Sequence, residues 1–330
     1  MINKQLYTRF QELKGKESAD NNFEVIDLEG TTHKLGISKE KYPKFFICTS
    51  DEIVTIPNES LELLVLEYNT PCTFIDEKGI ERHNYTIITL LSSDDILQKE
   101  FLDIMMMLMS KFVDTPSKSA IAKEMQNLIA IFEAMHAAPK KKVQGLWAEL
   151  LVIDRSNAPE LLINAWHTEP SSKYDFSVGR DKIEVKSTSS EERKHKIVLD
   201  QLNPTPNSRL LIASAIVRES GHGDDGLSVD ELRDKICERV TSTEARTHLF
   251  LVIANTLGSD YAKARKIYFD YVEASDSLRF YDHHNIPRID KQAVPQGVSG
   301  VKFISDFTDV PDITKDSFCA NDSSLFKAII

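Results

Sequence analysis

Cysteine is scarce in this chain. Four occur in 330 residues, Cys48, Cys72, Cys237 and Cys319, and none forms a Cys-x-x-Cys pair. A disulfide framework and a cysteine zinc knuckle both need clustered thiols, so neither is expected. Glycine and proline number 12 each, too few for a collagenous or low-complexity protein. Long apolar runs are missing as well. The greasiest stretch, Phe101 to Met109, is interrupted by Asp103 and falls far short of the roughly 20 residues a membrane span needs. Its methionines, Met105, Met106, Met107 and Met109, suit an adaptable core face. The N-terminal MINKQLYTRFQELKGKE has no secretory apolar core, so the expected location is cytoplasmic, with no membrane partner. Positive charge is also short: 40 Lys and Arg against 51 Asp and Glu give a net charge of −11. Binding nucleic acid over the whole surface is thereby excluded. A local site is not, because residues 139–204 carry 11 basic and 10 acidic groups.

What is present reads as a folded α/β protein. Apolar residues make up 41% and charged residues 28%, ordinary values for a chain that buries a core. Residues 1–90 read as a helix and a β-rich N-terminal domain, with a hairpin across Glu29-Gly30 and separate strands at Leu61–Glu67 and Cys72–Asp76. Chemical motifs are absent there, so specificity or partner docking is its expected role. A helical connector follows at 91–138, with Ser92-Ser93-Asp94-Asp95 as its capping signal. Residues 139–260 alternate helix and strand patterns, which argues for a mixed-sheet core, and 261–330 form a C-terminal α+β extension.

The chemistry concentrates in Tyr174-Asp175-Phe176-Ser177-Val178-Gly179-Arg180-Asp181-Lys182-Ile183-Glu184-Val185-Lys186-Ser187-Thr188. With Gly179-Arg180 as a two-residue turn, Val178 pairs with Asp181 and Asp175 falls opposite Glu184; a four-residue loop would put Asp175 opposite Lys186, still on the same face. Strand alternation then puts Glu184 and Lys186 on one face. Two carboxylates about 4–5 Å apart repel by roughly 3–4 kcal/mol at an effective dielectric near 20. A divalent cation relieves that repulsion, and hard oxygen ligands at this density suit Mg²⁺, with Mn²⁺ as a substitute. Such a site serves phosphodiester hydrolysis, with Lys186 orienting the water or stabilising developing negative charge. The Val185 carbonyl, beside the acids, is a candidate extra ligand. Glu149 is the only acid between Lys142 and Asp154, inside the greasy run Gly145–Ile153. Two readings stand: a helix-edge carboxylate in water, or an acid reaching the metal site.

The tripeptide Glu-x-Lys occurs three times, at Glu12, Glu184 and Glu192, so by itself it has no weight. Arg193, Lys194, His195 and Lys196 read either as phosphate contacts or as a solvated turn, His195 as a base or, more commonly for a lone histidine, a structural residue, and Gln201 as a candidate lining residue. Lys140-Lys141-Lys142 reads as a flexible basic linker, with contact to a DNA backbone as the alternative. His283-His284 has no third ligand beside it, which argues against zinc there.

The Asp175, Glu184, Lys186 pattern resembles the PD-(D/E)XK nuclease superfamily. Together with Gly145-Leu146-Trp147-Ala148-Glu149-Leu150, Trp166, Ser187-Thr188, Arg193, His195 and Gln201-Leu202, it resembles more closely a bacterial family named for that motif rather than for a demonstrated activity. The resemblance implies a restriction-endonuclease-like fold and Mg²⁺-dependent cleavage of DNA in restriction or defence against foreign DNA. It implies that Asp175 and Glu184 bind metal, that Lys186 assists the nucleophile and that Glu149 joins them. Tyr174 stands where the superfamily name has proline. DNA is the expected partner; other defence proteins and a second copy of the chain remain open. The rival expectation is a nuclease-like scaffold that binds DNA or protein without cutting.

Overall fold

The computed structural model describes residues 2–15, 24–50, 55–76, 79–167, 172–221, 223, 225–314 and 322–330. They gather into two compact units, Met1–Ala134 and Met135–Ile330.

The first unit opens with helix α1 (Ile2–Lys14), whose Leu6, Phe10 and Leu13 are buried at helical spacing. Strands β1 (Val25–Asp27), β2 (Lys34–Ile37), β3 (Pro43–Cys48), β4 (Glu59–Ser60), β5 (Leu64–Asp76) and β6 (Gly79–Leu90) form one antiparallel sheet in the order β1-β2-β3-β6-β5-β4. The two strands expected at Leu61–Glu67 and Cys72–Asp76 are one: β5 runs through, with a shift in register between Glu67 and Thr70 and Asn69 at a φ of 58°. A bulge of this kind carries a strand past a break in its pattern. Pro71 is tolerated because β4 has ended by then and pairs only with Val65 and Leu66, leaving β5 an edge strand at that point. Helices α2 (Asp95–Met109) and α3 (Lys118–Ala134) complete the unit. Asp94 caps α2, accepting from the Ile96 and Leu97 amides at 2.9 Å each. Met105, Met107 and Met109 are buried, and Phe101 meets Phe45 edge-on at 5.6 Å. The helices expected as a connector thus share the core of the β-rich segment.

The second unit holds the motif. Helix α4 (Val143–Arg155) is apolar on every side from Leu146 to Ile153 except at Glu149, and it is buried throughout that run. Helix α5 (Pro159–Ala165) follows. Strands β7 (Phe176–Val178) and β8 (Asp181–Thr188) make the hairpin; β9 (Lys194–Val198) leaves it, and β10 (Arg209–Ile216) returns parallel to β8. Next come β11 (Glu219–Ser220), β12 (Gly226–Leu227), α6 (Val229–Glu238), α7 (Thr243–Leu257), α8 (Tyr261–Ala264), β13 (Tyr268–Asp270), α9 (Tyr271–Ser277), β14 (Arg279–Asp282), β15 (Lys302–Asp306) and α10 (Ser324–Lys327). The central sheet has the order β14-β10-β8-β7, mixed as expected. Segment 261–330 contributes β14 to it, paired with β10, and β15 pairs with β9 in a separate two-stranded sheet. Ile183, Val185 and Ala213 are buried from the paired strands β8 and β10.

Gly179 occupies the hairpin turn at a φ of 54°, and Val178 pairs with Asp181, so the two-residue turn and its register are as read from the sequence. A left-handed backbone at this position favours glycine. Gly258, at a φ of 49°, has the same freedom and a second role. A side chain there would strike the Ala137 backbone. Its closeness lets Ser259 donate to the Ala137 carbonyl at 2.8 Å, and Lys140 donates to the Thr256 carbonyl at 2.9 Å. The segment before α4 is therefore anchored on the C-terminal turn of α7.

Candidate active site

Four parts of the second unit converge. Helix α4 contributes Glu149, whose side chain is only 3% exposed. Its Oε1 accepts from Lys141 Nζ at 2.7 Å, and its Oε2 accepts from Trp166 Nε1 at 2.7 Å and lies 2.9 Å from His167 Nε2. The helix-edge reading of Glu149 is thereby corrected: α4 is enclosed on all sides, so the acid points into the protein and not into water.

Trp166 and His167 extend the hairpin by a further step. Trp166 bridges to Phe176 in antiparallel fashion, and the His167 amide donates to the Asp175 carbonyl at 2.9 Å. His167 has a φ of 41°, a region a non-glycine residue rarely enters. The pairing brings its imidazole beside Asp175. Asp175 in turn accepts from Lys141 Nζ on Oδ1 at 2.8 Å and from the Val185 amide on Oδ2 at 2.8 Å. It bonds across the hairpin at the middle residue of Glu184-Val185-Lys186, as the register requires. On β8, Lys186 Nζ lies 2.6 Å from Glu184 Oε1, confirming that the two share a face. Gln201 ties them together: its Nε2 donates to Glu184 Oε1, and its Oε1 accepts from Lys186 Nζ at 3.2 Å and from the Val198 amide at 3.1 Å.

Burial governs the electrostatics. Desolvation, helped by the nearby Asp175 charge, pushes Glu184 up to about 8 against the pull of Lys186. Asp175 is raised too, by burial first and then by Glu149. Burial also penalises ionised Glu149, but hydrogen bonds and charge from His167 and Lys141 outweigh it and hold that carboxyl below its usual range. Lys141 is raised, because Asp175 and Glu149 more than offset its own desolvation. Three carboxyl groups, two lysines and one imidazole therefore share a buried site in which desolvation resists ionisation of Glu184 and Asp175. Such a donor set fits a divalent cation, whose charge would offset that penalty: the acids are buried and close together. Among the described residues, Glu149, His167 and Asp175 each offer a ligand atom, and these atoms lie within 4.8 Å of one another. Glu184 turns to Lys186 and Gln201, and the Val185 peptide is engaged with Asp175 through its amide.

Two residues at the site were not singled out from the sequence. Lys141, read as part of a flexible linker, is held by two acids, and its neighbour Lys140 is anchored on α7. That linker reading is corrected. His167 carries no local signal, since its meeting with Asp175 depends on backbone pairing with a residue eight positions further on. The expected phosphate contacts divide. Arg193 turns inward, donating to the Ser214 carbonyl at 2.8 Å, to Ser214 Oγ at 2.9 Å and to the Ser277 carbonyl. His195 is buried against Phe307 with its Nε2 2.8 Å from Ser214 Oγ, and burial lowers it to about 4. Both are corrected as phosphate contacts: Arg193 is taken up by Ser214 and the Ser277 carbonyl, and the alternation of β9 that exposes Lys194 and Lys196 drives His195 into the core. Lys194 pairs with Glu192 at 2.6 Å. Asp282, His283 and His284 also lie close together, but they are consecutive residues and His283 Nδ1 already faces the Leu210 carbonyl at 3.1 Å.

Arg193→Ala should lower the free energy of unfolding by about 1.5–3 kcal/mol, the scale of a charged hydrogen bond left unmade. Urea denaturation measures it. An unfolding free energy equal to that of wild type would show that these inward bonds carry no weight and would return Arg193 to the phosphate-binding set.

A family model described as "Putative PD-(D/E)XK family member" matches residues 7–308. No curated protein and no solved structure matches the chain.

Proposed function

Since the chain belongs to that PD-(D/E)XK family, we propose that it is a divalent-metal-dependent nuclease that hydrolyses phosphodiester bonds in DNA, on a restriction-endonuclease-like core. The observation that carries this reading is the buried meeting of Glu149, Asp175, Glu184 and Lys186, drawn from a helix and the two arms of one hairpin. PD-(D/E)XK proteins are usually nucleases, and no helix among the described residues is long and apolar enough to cross a membrane.

In this mechanism Glu149 and Asp175 hold the cation, with Glu184 beside them. When bound, the cation supplies Lewis-acid stabilisation of the phosphoryl oxygens. Lys186 holds a proton-rich ammonium where negative charge develops as water oxygen bonds to phosphorus and the phosphorus–oxygen ester bond breaks. The water's protons pass to solvent and to the leaving alcohol. Gln201 fixes the rotamers of Glu184 and Lys186, and Trp166 fixes Glu149. Lys194 and Lys196, exposed on β9, supply backbone phosphate contacts. Destruction of foreign DNA is the biological role that follows from the family resemblance.

Supercoiled plasmid incubated with purified protein and Mg²⁺ or Mn²⁺ should be nicked or linearised. EDTA should stop the reaction, and Asp175→Asn should cut at least about 10²-fold more slowly, the scale of losing a metal ligand or its partner. Cleavage that survives EDTA, or an Asp175→Asn variant as fast as wild type, would overturn the proposal. The net charge of −11 favours one other reading, a scaffold that holds DNA or a protein partner without cutting. Calorimetric titration separates the two, because a scaffold has no need to bind the cation.

A further inference from the structure

Three potential ligand atoms point at a single place. Glu149 Oε1 lies 2.7 Å, Asp175 Oδ1 2.8 Å and His167 Nε2 3.3 Å from one nitrogen, the ammonium of Lys141. The two carboxylates are 3% and 6% exposed and the imidazole 21%, whereas Lys141 is 38% exposed. The ammonium enters a buried three-donor pocket from the solvent side. From this convergence we infer that Lys141 Nζ marks the cation position of the site, that His167 is its nitrogen ligand beside Glu149 and Asp175, and that the site selects a transition-metal dication such as Mn²⁺ over Mg²⁺. The inference deepens the proposed nuclease reading and rests on it for the presence of a metal.

Ligand chemistry carries the choice of ion. Mg²⁺ demands near-ideal octahedral oxygen coordination and keeps its waters, while imidazole suits the later divalent ions. An all-carboxylate set would discriminate weakly; one nitrogen among the ligands shifts the preference along the first-row series. The backbone supports a positional role for His167. Its φ of 41° and its amide bond to the Asp175 carbonyl set the imidazole against both acids. Sparsely populated backbone conformations cost about 1–3 kcal/mol and persist where the surroundings enforce them.

Charge decides what Lys141 does. Two carboxylates and one ammonium leave the pocket with a single negative charge. A dication added to it would leave a positive excess, whereas a dication that replaces the ammonium leaves it neutral. Lys141 must therefore withdraw when metal enters. Its exposed flank and flexible four-carbon stem allow this, and its anchored neighbour Lys140 keeps it at the rim. Lys141 is thus a competitor for the metal position rather than a catalytic residue.

The test measures Mn²⁺ and Mg²⁺ binding by calorimetry, together with pulsed electron paramagnetic resonance of bound Mn²⁺, on wild type, His167→Asn and Lys141→Met. Asparagine tolerates a left-handed backbone, so the first variant removes the imidazole without imposing a new φ. Wild type should bind Mn²⁺ at least about tenfold more tightly than Mg²⁺ and show nitrogen coupling to the bound ion. His167→Asn should lose about tenfold or more in Mn²⁺ affinity, change little toward Mg²⁺ and lose the coupling, given that even outer partners cost 10–100-fold. Lys141→Met should bind both ions more tightly. The resonance measurement on wild type needs no substitution, so it decides the matter even if the asparagine variant unfolds. Metal binding with no nitrogen coupling and equal affinity in His167→Asn would overturn the inference and leave the nuclease reading standing. Binding of neither ion by wild type or Lys141→Met would sink both.

Discussion

Replacing Lys186 with alanine should slow plasmid cleavage by about 10²–10³-fold at saturating metal, the loss seen when one preorganised stabiliser of a developing negative charge is removed. The expected effect is large because nothing else replaces the ammonium. Lys186 sits 2.6 Å from Glu184 and 3.2 Å from the Gln201 carbonyl oxygen, so its position is fixed before substrate arrives. Metal binding should survive, since Lys186 is not a ligand, and should tighten as a repelling charge is lost. Single-turnover rates with calorimetry on the same samples separate the two effects. A Lys186→Ala rate within about fivefold of wild type would show that the charge is structural and has no part in chemistry.

Glu184→Gln should do two things that rarely go together: stabilise the metal-free protein at high pH and abolish cleavage. Glu184 is pushed up to about 8 in the folded chain, chiefly by desolvation, whereas an exposed glutamate ionises near 4.3. The folded state therefore holds this proton more tightly than the unfolded one. Its contribution to stability is complete below about pH 4.3 and is lost as pH rises through about 8. A glutamine has no charge to desolvate, so the variant lacks this slope. Above pH 8 it should be more stable than metal-free wild type by about 2 kcal/mol. That is well below the full value of the shift at 1.36 kcal/mol per unit, because Lys186 loses its ionic partner. Chemical denaturation at pH 5 and pH 8.5, with chelator present, measures the difference. A glutamine variant less stable than wild type at pH 8.5 would mean that Lys186 and Gln201 fully compensate an ionised Glu184.

Such a trade of stability for function is common where like charges are buried for chemistry. It also accounts for Lys141. Without a cation, Glu149 and Asp175 face each other in a desolvated pocket, and the lysine neutralises one of the two charges. The same lysine then stands in the way of the metal.

The site was partly legible in the chain because part of it is local. Gly179-Arg180 makes a two-residue turn, and that turn dictates that Val178 meets Asp181 and Phe176 meets Ile183, which brings Asp175 to the far arm of the hairpin. Strand alternation puts Glu184 beside Lys186 without help from any distant residue. An acid within the greasy run of α4 was conspicuous for a similar reason: a buried helix has nowhere to place a carboxylate except against a partner. Arg193 and His195 misled because basic residues next to a motif look the same whether they face a phosphate or a Ser214 hydroxyl.

The amino-acid sequence by itself pointed to the hairpin, its two-residue turn and the shared face of Glu184 and Lys186, since turn chemistry and two-residue periodicity act over a few positions; the structure decided that Glu149 joins them. Only the tertiary structure decided that Lys141 and His167 complete that group. Lys141 reaches Asp175 across 34 positions and His167 reaches Glu149 across 18. Those meetings depend on how α7 anchors the segment before α4 and how Trp166 pairs with Phe176. Contacts of that kind are set by the packing of whole elements, which no local spacing encodes.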